Sequence, residues 1–325
     1  MDAWLSHPDD VQAKVREWQA TSGDLLQVEA ITQVTGRPVF ALTATDPAVP
    51  EDAKRKLLAF VPHAHEPAPT AACMNVMNMI LTGRGLDGSA APFDAQEVRR
   101  KLLVTLIPDA NPDGTARAPV KWWDGSQYTN EEFWAWMRGP DPQTGKMWKR
   151  VDLFDVREEK SLPERIGVVY EPISEFEYVE PNRHPRSSLM RHLKRLTEQR
   201  PYDALLDLHQ TEFERSDRNC MVILPTMYDE QPPHLRDEEM TWAHEIVEAW
   251  RQAGGRPIGE IKPLGYTGEQ RQYFVNVWGP YYQQYPKLTS EVQNNNPATP
   301  PAQQQLLSEI AITTTLRRLM EGREP

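Results

Sequence analysis

Cysteine is nearly absent from this chain of 325 residues, which holds only Cys73 and Cys220. That excludes a disulfide-dense scaffold and a cysteine-built zinc site, and it suits a reducing cytosol. Long apolar runs are missing as well. No stretch approaches the ~18 uncharged apolar residues that span a bilayer, and the opening Met1-Asp2-Ala3-Trp4-Leu5-Ser6-His7 lacks a basic segment followed by an apolar one. A soluble, cytoplasmic protein without a membrane partner is the expectation. Positive charge is outnumbered, 36 Lys and Arg against 47 Asp and Glu, for a formal net charge of −11. A nucleic-acid backbone is thereby disfavoured as a partner, and a small or peptidic ligand fits better. Glycine is sparse beside proline, 17 against 29, which favours shaped loops over flexible linkers. There is no internal repeat.

What is present suffices for a full core, with 39% hydrophobic and 26% charged residues. Val11, Val15 and Trp18 share one face of a helix over Asp9 to Thr21. Strands are expected at Leu25 to Val34, Pro38 to Thr43, Lys56 to Val61 and Leu102 to Ile107, with helices at Ala71 to Leu81 and Ala95 to Lys101 between them. Residues Thr115 to Tyr178 have no clean period and read as a long structured insertion. Regular structure resumes with a helix over Ser187 to Gln199 and strands at Ala204 to Leu208 and Met221 to Pro225. A helix over Arg236 to Ala253, a strand at Lys287 to Val292, and a last helix after the Pro297 to Gln305 segment follow. Such alternation predicts an α/β fold, a sheet covered by helices, and the absence of a linker predicts one domain over residues 1–325.

Candidate chemistry sits at the ends of the predicted strands. Pro62-His63-Ala64-His65-Glu66 offers an imidazole and a carboxylate three residues apart. Zinc accepts both donor types, and a catalytic zinc site has three protein ligands and one open position. A solvated turn is the plainer alternative. Leu205-Leu206-Asp207-Leu208-His209 ends a second apolar strand in a histidine, a third ligand or a core-edge side chain. Leu288-Thr289-Ser290-Glu291-Val292 places a carboxylate at a third strand end, where it serves as general base or as an ordinary terminal Glu. Asn111-Pro112-Asp113-Gly114 makes a turn after a strand, and Glu180-Pro181-Asn182-Arg183 groups a carboxylate, an amide and a guanidinium. Arg grips carboxylates with two parallel hydrogen bonds, and a carboxylate can orient a metal-bound imidazole.

Taken in order, His63-x-x-Glu66, Asn111-Pro-Asp-Gly114, Asn182-Arg183, His209 after Leu-Asp-Leu, and Thr289-Ser-Glu291 resemble the zinc carboxypeptidase family of pancreatic carboxypeptidase A. The resemblance spans roughly residues 56 to 292 and implies a mixed, mostly parallel sheet flanked by helices. It implies that one zinc ion is held by His63, Glu66 and His209, that Glu291 is the base, and that Asn182 and Arg183 grip the substrate's terminal carboxylate. Glu180 stands where the family often has an Asp behind the first zinc histidine. Lys146-Met147-Trp148-Lys149-Arg150 resembles the segment whose Arg steadies the oxyanion, and it puts Lys149 at that position with Arg150 next to it. Lys cannot fork, so the resemblance leaves open which cation serves. Tyr266 is the counterpart of the family's substrate-contacting Tyr, with Tyr273 as rival. His65 is expected to point away from the metal.

Five of the chain's 10 tryptophans, Trp122, Trp123, Trp134, Trp136 and Trp148, fall in the insertion. They form either a rim that grips an apolar substrate side chain or anchors for an irregular segment. The function implied is hydrolysis of an amide or peptide bond next to a free carboxylate. An N-acyl amino acid deacylase resembling the aspartoacylase branch, an amidase of bacterial wall peptides, and a catalytically silent peptide-binding module are the alternatives.

Overall fold

The computed structural model describes residues 4–148, 152–214 and 216–322. Val11, Val15 and Trp18 are buried on one face of helix α1 (Pro8–Thr21). The apolar runs that follow form strands β1 (Leu26–Thr32), β2 (Pro38–Ala44) and β3 (Arg55–Phe60). Helix α2 (Pro67–Thr82) is buried almost throughout and stops where Gly83 turns left-handed at φ 76°. Helix α3 (Ala95–Lys101), capped by Asp94, runs straight into β4 (Leu102–Ile107).

Residues 115–178 hold regular structure despite their irregular pattern. They take in the end of α4 (Pro112–Arg117), all of α5 (Asn130–Arg138), β5 (Leu153–Asp155) and β6 (Glu171–Pro172), and most of β7 (Glu177–Val179). The three strands make a small antiparallel sheet of order β5-β7-β6. Helix α6 (Ser188–Gln199), β8 (Ala204–Thr211), β9 (Cys220–Ile223), α7 (Pro233–Gln252), α8 (Gly268–Tyr282), β10 (Lys287–Gln293) and α9 (Pro301–Glu321) follow. The Pro297 to Gln305 segment is therefore irregular only in its first half. Pro301 starts α9, because a helix's first residue has no hydrogen-bond partner for the missing N–H.

The main sheet has seven strands in the order β1-β2-β4-β3-β8-β10-β9. Its central four, β4, β3, β8 and β10, are parallel, and antiparallel pairings add β2 and β1 at one edge and β9 at the other. Both faces are covered, which is why the central strands read as unbroken apolar runs. Leu57, Ala59, Leu206 and Leu208 point into one layer with α2, α7 and α9. Leu58, Phe60 and Leu205 point into the other, with α6 and α8. The chain leaves β3 toward β4 on one side while β8 pairs on the other, so a crevice opens at the carboxyl ends of β3 and β8. Cys73 and Cys220 are free thiols, both buried. Among the described residues no helix is long and apolar enough to cross a membrane.

Candidate metal centre

The crevice collects the side chains that the strand ends deliver. β3 ends at Phe60, and a tight turn, closed by the Glu66 amide on the His63 carbonyl, leads to Pro67 at the start of α2. This turn is not solvated: His63 is 6% and Glu66 3% exposed. On β8, Asp207 and His209 lie two residues apart and so share one face of the sheet. In the parallel pairing, Thr289 of β10 stands opposite Asp207 and Glu291 opposite His209.

His63, Glu66 and His209 offer donor atoms that all lie within 4.8 Å of one another. His63 Nδ1 is 2.9 Å from Glu66 Oε1 and His209 Nδ1 2.9 Å from Glu66 Oε2. The two imidazole centroids are 4.7 Å apart. Each ring's other nitrogen faces a second carboxylate: His63 Nε2 is 3.4 Å from Glu180 Oε1, and His209 Nε2 is 2.9 Å from Asp207 Oδ1. If Nε2–H donates to those carboxylates, each Nδ1 presents a lone pair to a carboxylate oxygen. Lone pair against lone pair is repulsive unless a cation stands between or both rings are protonated twice. Two nitrogens and one oxygen, buried and convergent, are a donor set that zinc accepts.

The electrostatics follow from the same contacts. For His63, burial favours the neutral ring, but the charge of Glu66 and the hydrogen bonds to Glu180 and Glu66 outweigh it and raise the pKa. For His209, burial is likewise overcome by Asp207 and Glu66, and the pKa lies well above its ordinary 6.5. Burial pushes Glu291 up to about 8; the charge of His209 pulls it down, while Glu66, Asp207 and Glu212 push it further up. Glu291 Oε2 is buried without a hydrogen-bond partner among the described residues. His65 is driven down to about 3, chiefly by burial.

Glu180 is a hub. Its Oε2 accepts from Arg138 Nη1 at 2.6 Å, and its Oε1 lies 2.9 Å from Arg183 Nε. Asn182 Oδ1 is 3.3 Å from His63 Nε2. A cavity of about 380 Å³, in the range of small-molecule sites, opens over these groups. His63, Glu66, His209, Glu291, Asn182 and Tyr266 line it, and so do Arg138, Asp207 and Lys287. Met221, Ile223, Leu224 and Phe274 supply an apolar wall.

Three solved structures show the relationship of this architecture to known proteins. A carboxypeptidase A from Helicoverpa armigera superposes with a TM-score of 0.61 at 12% identity, over 99% of this chain and 75% of that one. A metallo-carboxypeptidase from Burkholderia cenocepacia gives a TM-score of 0.57 at 14% identity, over 95% and 68%. Bovine thrombin-activatable fibrinolysis inhibitor, in complex with tick carboxypeptidase inhibitor, gives 0.57 at 11% identity, over 98% and 99%. The fold is that of the metallo-carboxypeptidases. No family sequence model matches this chain, and no curated protein sequence does either. At these identities the likeness shows the fold alone.

In the crevice several expectations take a definite form. Arg183 stands behind the cavity wall, its guanidinium 5.3 Å from the Phe274 ring and its Nη2 buried without a hydrogen-bond partner among the described residues. Tyr266 lines the cavity, stacked on Phe274 at 4.9 Å, whereas Tyr273 is not among the lining residues. Asn111 is structural: its amide donates to the carbonyls of Val168 and Val169, and its Oδ1 accepts from the Gly114 amide. His65 does not point away. It stacks on His63 at 5.1 Å and lines the cavity, outside the convergent trio. Lys149 and Arg150 lie outside the described residues.

None of the five tryptophans of residues 115–178 lines the cavity. Trp148 packs in a small core with Phe154 and Tyr170, and Trp123 packs edge-on against Phe133, so these two act as anchors. Trp134 touches the site indirectly, its indole donating at 2.6 Å to Glu212, which lines the cavity. Sequence reasoning missed Arg138, Asp207 and Lys287. Asp207 was within reach, since a strand residue two before His209 must share its face. Arg138, at the end of an unannounced helix, carried no signal.

Proposed function

We propose that this chain hydrolyses the peptide bond next to a free C-terminal carboxylate, with one zinc ion held by His63, Glu66 and His209. The observation that carries this reading is the convergence of three Lewis-basic atoms in a buried crevice, with the Glu291 carboxylate one strand away. Zinc, when bound, supplies a Lewis acid for the scissile carbonyl and makes water more acidic. Glu291 takes the proton from the attacking water and returns it to the leaving nitrogen; burial raises this carboxyl in the metal-free protein, and a divalent cation beside it would favour the ionised form that a base needs. Arg138, which lines the cavity beside Glu180, steadies the negative charge that grows on the carbonyl oxygen. Lys149 and Arg150 are the other cations proposed for that task.

Asn182 and Arg183 take the substrate's carboxylate, and the unpartnered Nη2 of Arg183 supports this assignment. Glu180 holds Arg138, Arg183 and His63 in register, since its two oxygens reach all three. Tyr266 closes over the substrate from the apolar wall. A panel of peptides with free C-termini, their C-terminal amides and N-acyl amino acids, each with and without chelator, tests the reading. Chelator-sensitive cleavage confined to free C-termini is expected. Faster cleavage of N-acyl amino acids would favour a deacylase, and silence across the panel with zinc bound would favour a binding module.

A further inference from the structure

The two histidines of the centre are backed alike: each Nε2 faces a carboxylate, and each carboxylate is held by a cation. Behind His63 the resemblance leads one to expect Glu180. Behind His209 stand Asp207 and Lys287, to which nothing in the sequence reading assigns a task. We propose that Lys287 and Asp207 are a positioning pair that fixes the ring plane and the metal-binding tautomer of His209. This rests on the reading of His63, Glu66 and His209 as metal ligands.

Asp207 Oδ1 lies 2.9 Å from His209 Nε2, within ion-pair reach though off the line of a ring N–H hydrogen bond, and Oδ2 accepts from Lys287 Nζ at 2.8 Å, which holds the carboxylate against the ring. Lys287 is itself held on three sides. Its ammonium donates to Thr289 Oγ1 at 3.1 Å and sits 4.6 Å from the Trp278 ring, and its amide donates to the buried Glu239 at 2.9 Å. A carboxylate 2.9 Å from Nε2 favours the tautomer with its proton there, which leaves the lone pair of His209 on Nδ1, the atom that faces Glu66. The register makes the arrangement economical. Lys287, Thr289 and Glu291 share one face of β10, and Thr289 and Glu291 stand opposite Asp207 and His209. One strand therefore positions both the proposed base and the backing of a ligand.

The competing reading is a core ion pair without function, since both residues are only 3% exposed. Replacing such a pair by apolar groups is often neutral for stability or even favourable, so stability alone does not separate the two readings. Metal affinity does. The experiment titrates zinc into the full-length wild type, K287M, D207N and the double variant D207N/K287M against a competing chelator, and records the visible spectrum of each protein loaded with cobalt(II). K287M is expected to bind zinc roughly 10- to 100-fold more weakly than wild type and to show a shifted cobalt spectrum. The double variant should lose scarcely more than D207N alone, because Lys287 acts through Asp207. D207N preserves shape and an acceptor oxygen, so it gives a folded comparison should K287M not fold. Zinc affinities within twofold of wild type and unchanged cobalt spectra, in K287M or, should it not fold, in D207N, would overturn the pair's role. A wild type that binds no metal would instead remove the metal-centre reading on which the proposal stands.

Discussion

Glu291 stands opposite His209 across the β8–β10 pairing, and parallel register turns both side chains to one face of the sheet. A one-residue slip would send the carboxylate to the other face. Apolar residues buried on that other face hold the register: Leu208 and Leu288 are fully buried and Val292 is 1% exposed. The position of the proposed base relative to the proposed ligand is thus set by sheet packing.

From this, Glu291→Gln is expected to lower kcat by roughly 100- to 10,000-fold, the usual scale for losing a general acid-base group. Zinc content should stay at one per chain, since Glu291 is outside the trio of donors. Elemental analysis beside steady-state kinetics checks both halves, and loss of zinc with loss of activity would move Glu291 from base to ligand.

The metal-free protein should lose stability as pH rises through neutrality. His63 and His209 bind protons more tightly folded than unfolded, because Glu66 and its neighbouring carboxylates outweigh the burial that acts against charge. Glu291, raised by burial to about 8, does the same. Their stabilisation is fully present below the unfolded pKa values and disappears as pH climbs through the folded ones. Asp207 works oppositely. Burial raises it, but His209 and Lys287 win and hold it at about 2, so its contribution fades only in acid. Zinc requires unprotonated donors, so the gap between melting temperatures with zinc and with chelator should widen between about pH 5 and about pH 8. A gap that narrows over that range would contradict the ligand set.

Much of the frame is legible in the residues themselves. α3 and β4 fall where capping by Asp94 and an unbroken apolar run put them, and the turn after β3 presents His63 and Glu66 because a strand end must. What escapes notice is structure whose pattern is set by several neighbours at once. In α8, Val277, Trp278 and Tyr282 face the core while Phe274 faces the cavity, and Pro280 lies inside the helix, so no single apolar stripe remains. Helix α5 is short and has a capping box at Thr129 and Glu132, a local signal that the surrounding Trp, Pro and Gly obscure. Arg138 at its end reaches the site by its place on the cavity wall and a long-range ion pair with Glu180, which no local pattern encodes.

Arg138 and Arg183 should be separable by substrate. Arg183→Ala should weaken hydrolysis mainly of peptides with a free C-terminus and leave any residual cleavage of the amides nearly unchanged. Arg138→Met should lower kcat on every substrate, by about 100-fold or more if it meets the developing oxyanion. Both variants unpair one bond of Glu180, so the Arg138→Lys variant, which keeps a charge, serves as the control for lost packing. Parallel losses on free and amidated peptides for both residues would refute the division of labour.

Gly114 is the position where the turn after β4 and the loop that carries His63 and Glu66 touch. A Cβ built there would lie 2.0 Å from the Val168 carbonyl oxygen, 2.5 Å from the Asn111 amide nitrogen and 2.7 Å from the Ala64 Cβ. Two of these are parts of a hydrogen-bonded arrangement, since Asn111 donates to that same carbonyl, and Ala64 is the residue between His63 and His65. The backbone cannot yield without moving one of them. Gly114→Ala is therefore expected to destabilise the protein by about 3 kcal/mol or more, the upper end for overpacking. If the displacement is relieved through Ala64, zinc affinity falls with it; if through Val168, the loss appears in stability alone. Urea unfolding together with zinc titration distinguishes the two, and a variant of wild-type stability would show that the contact between the loops is loose.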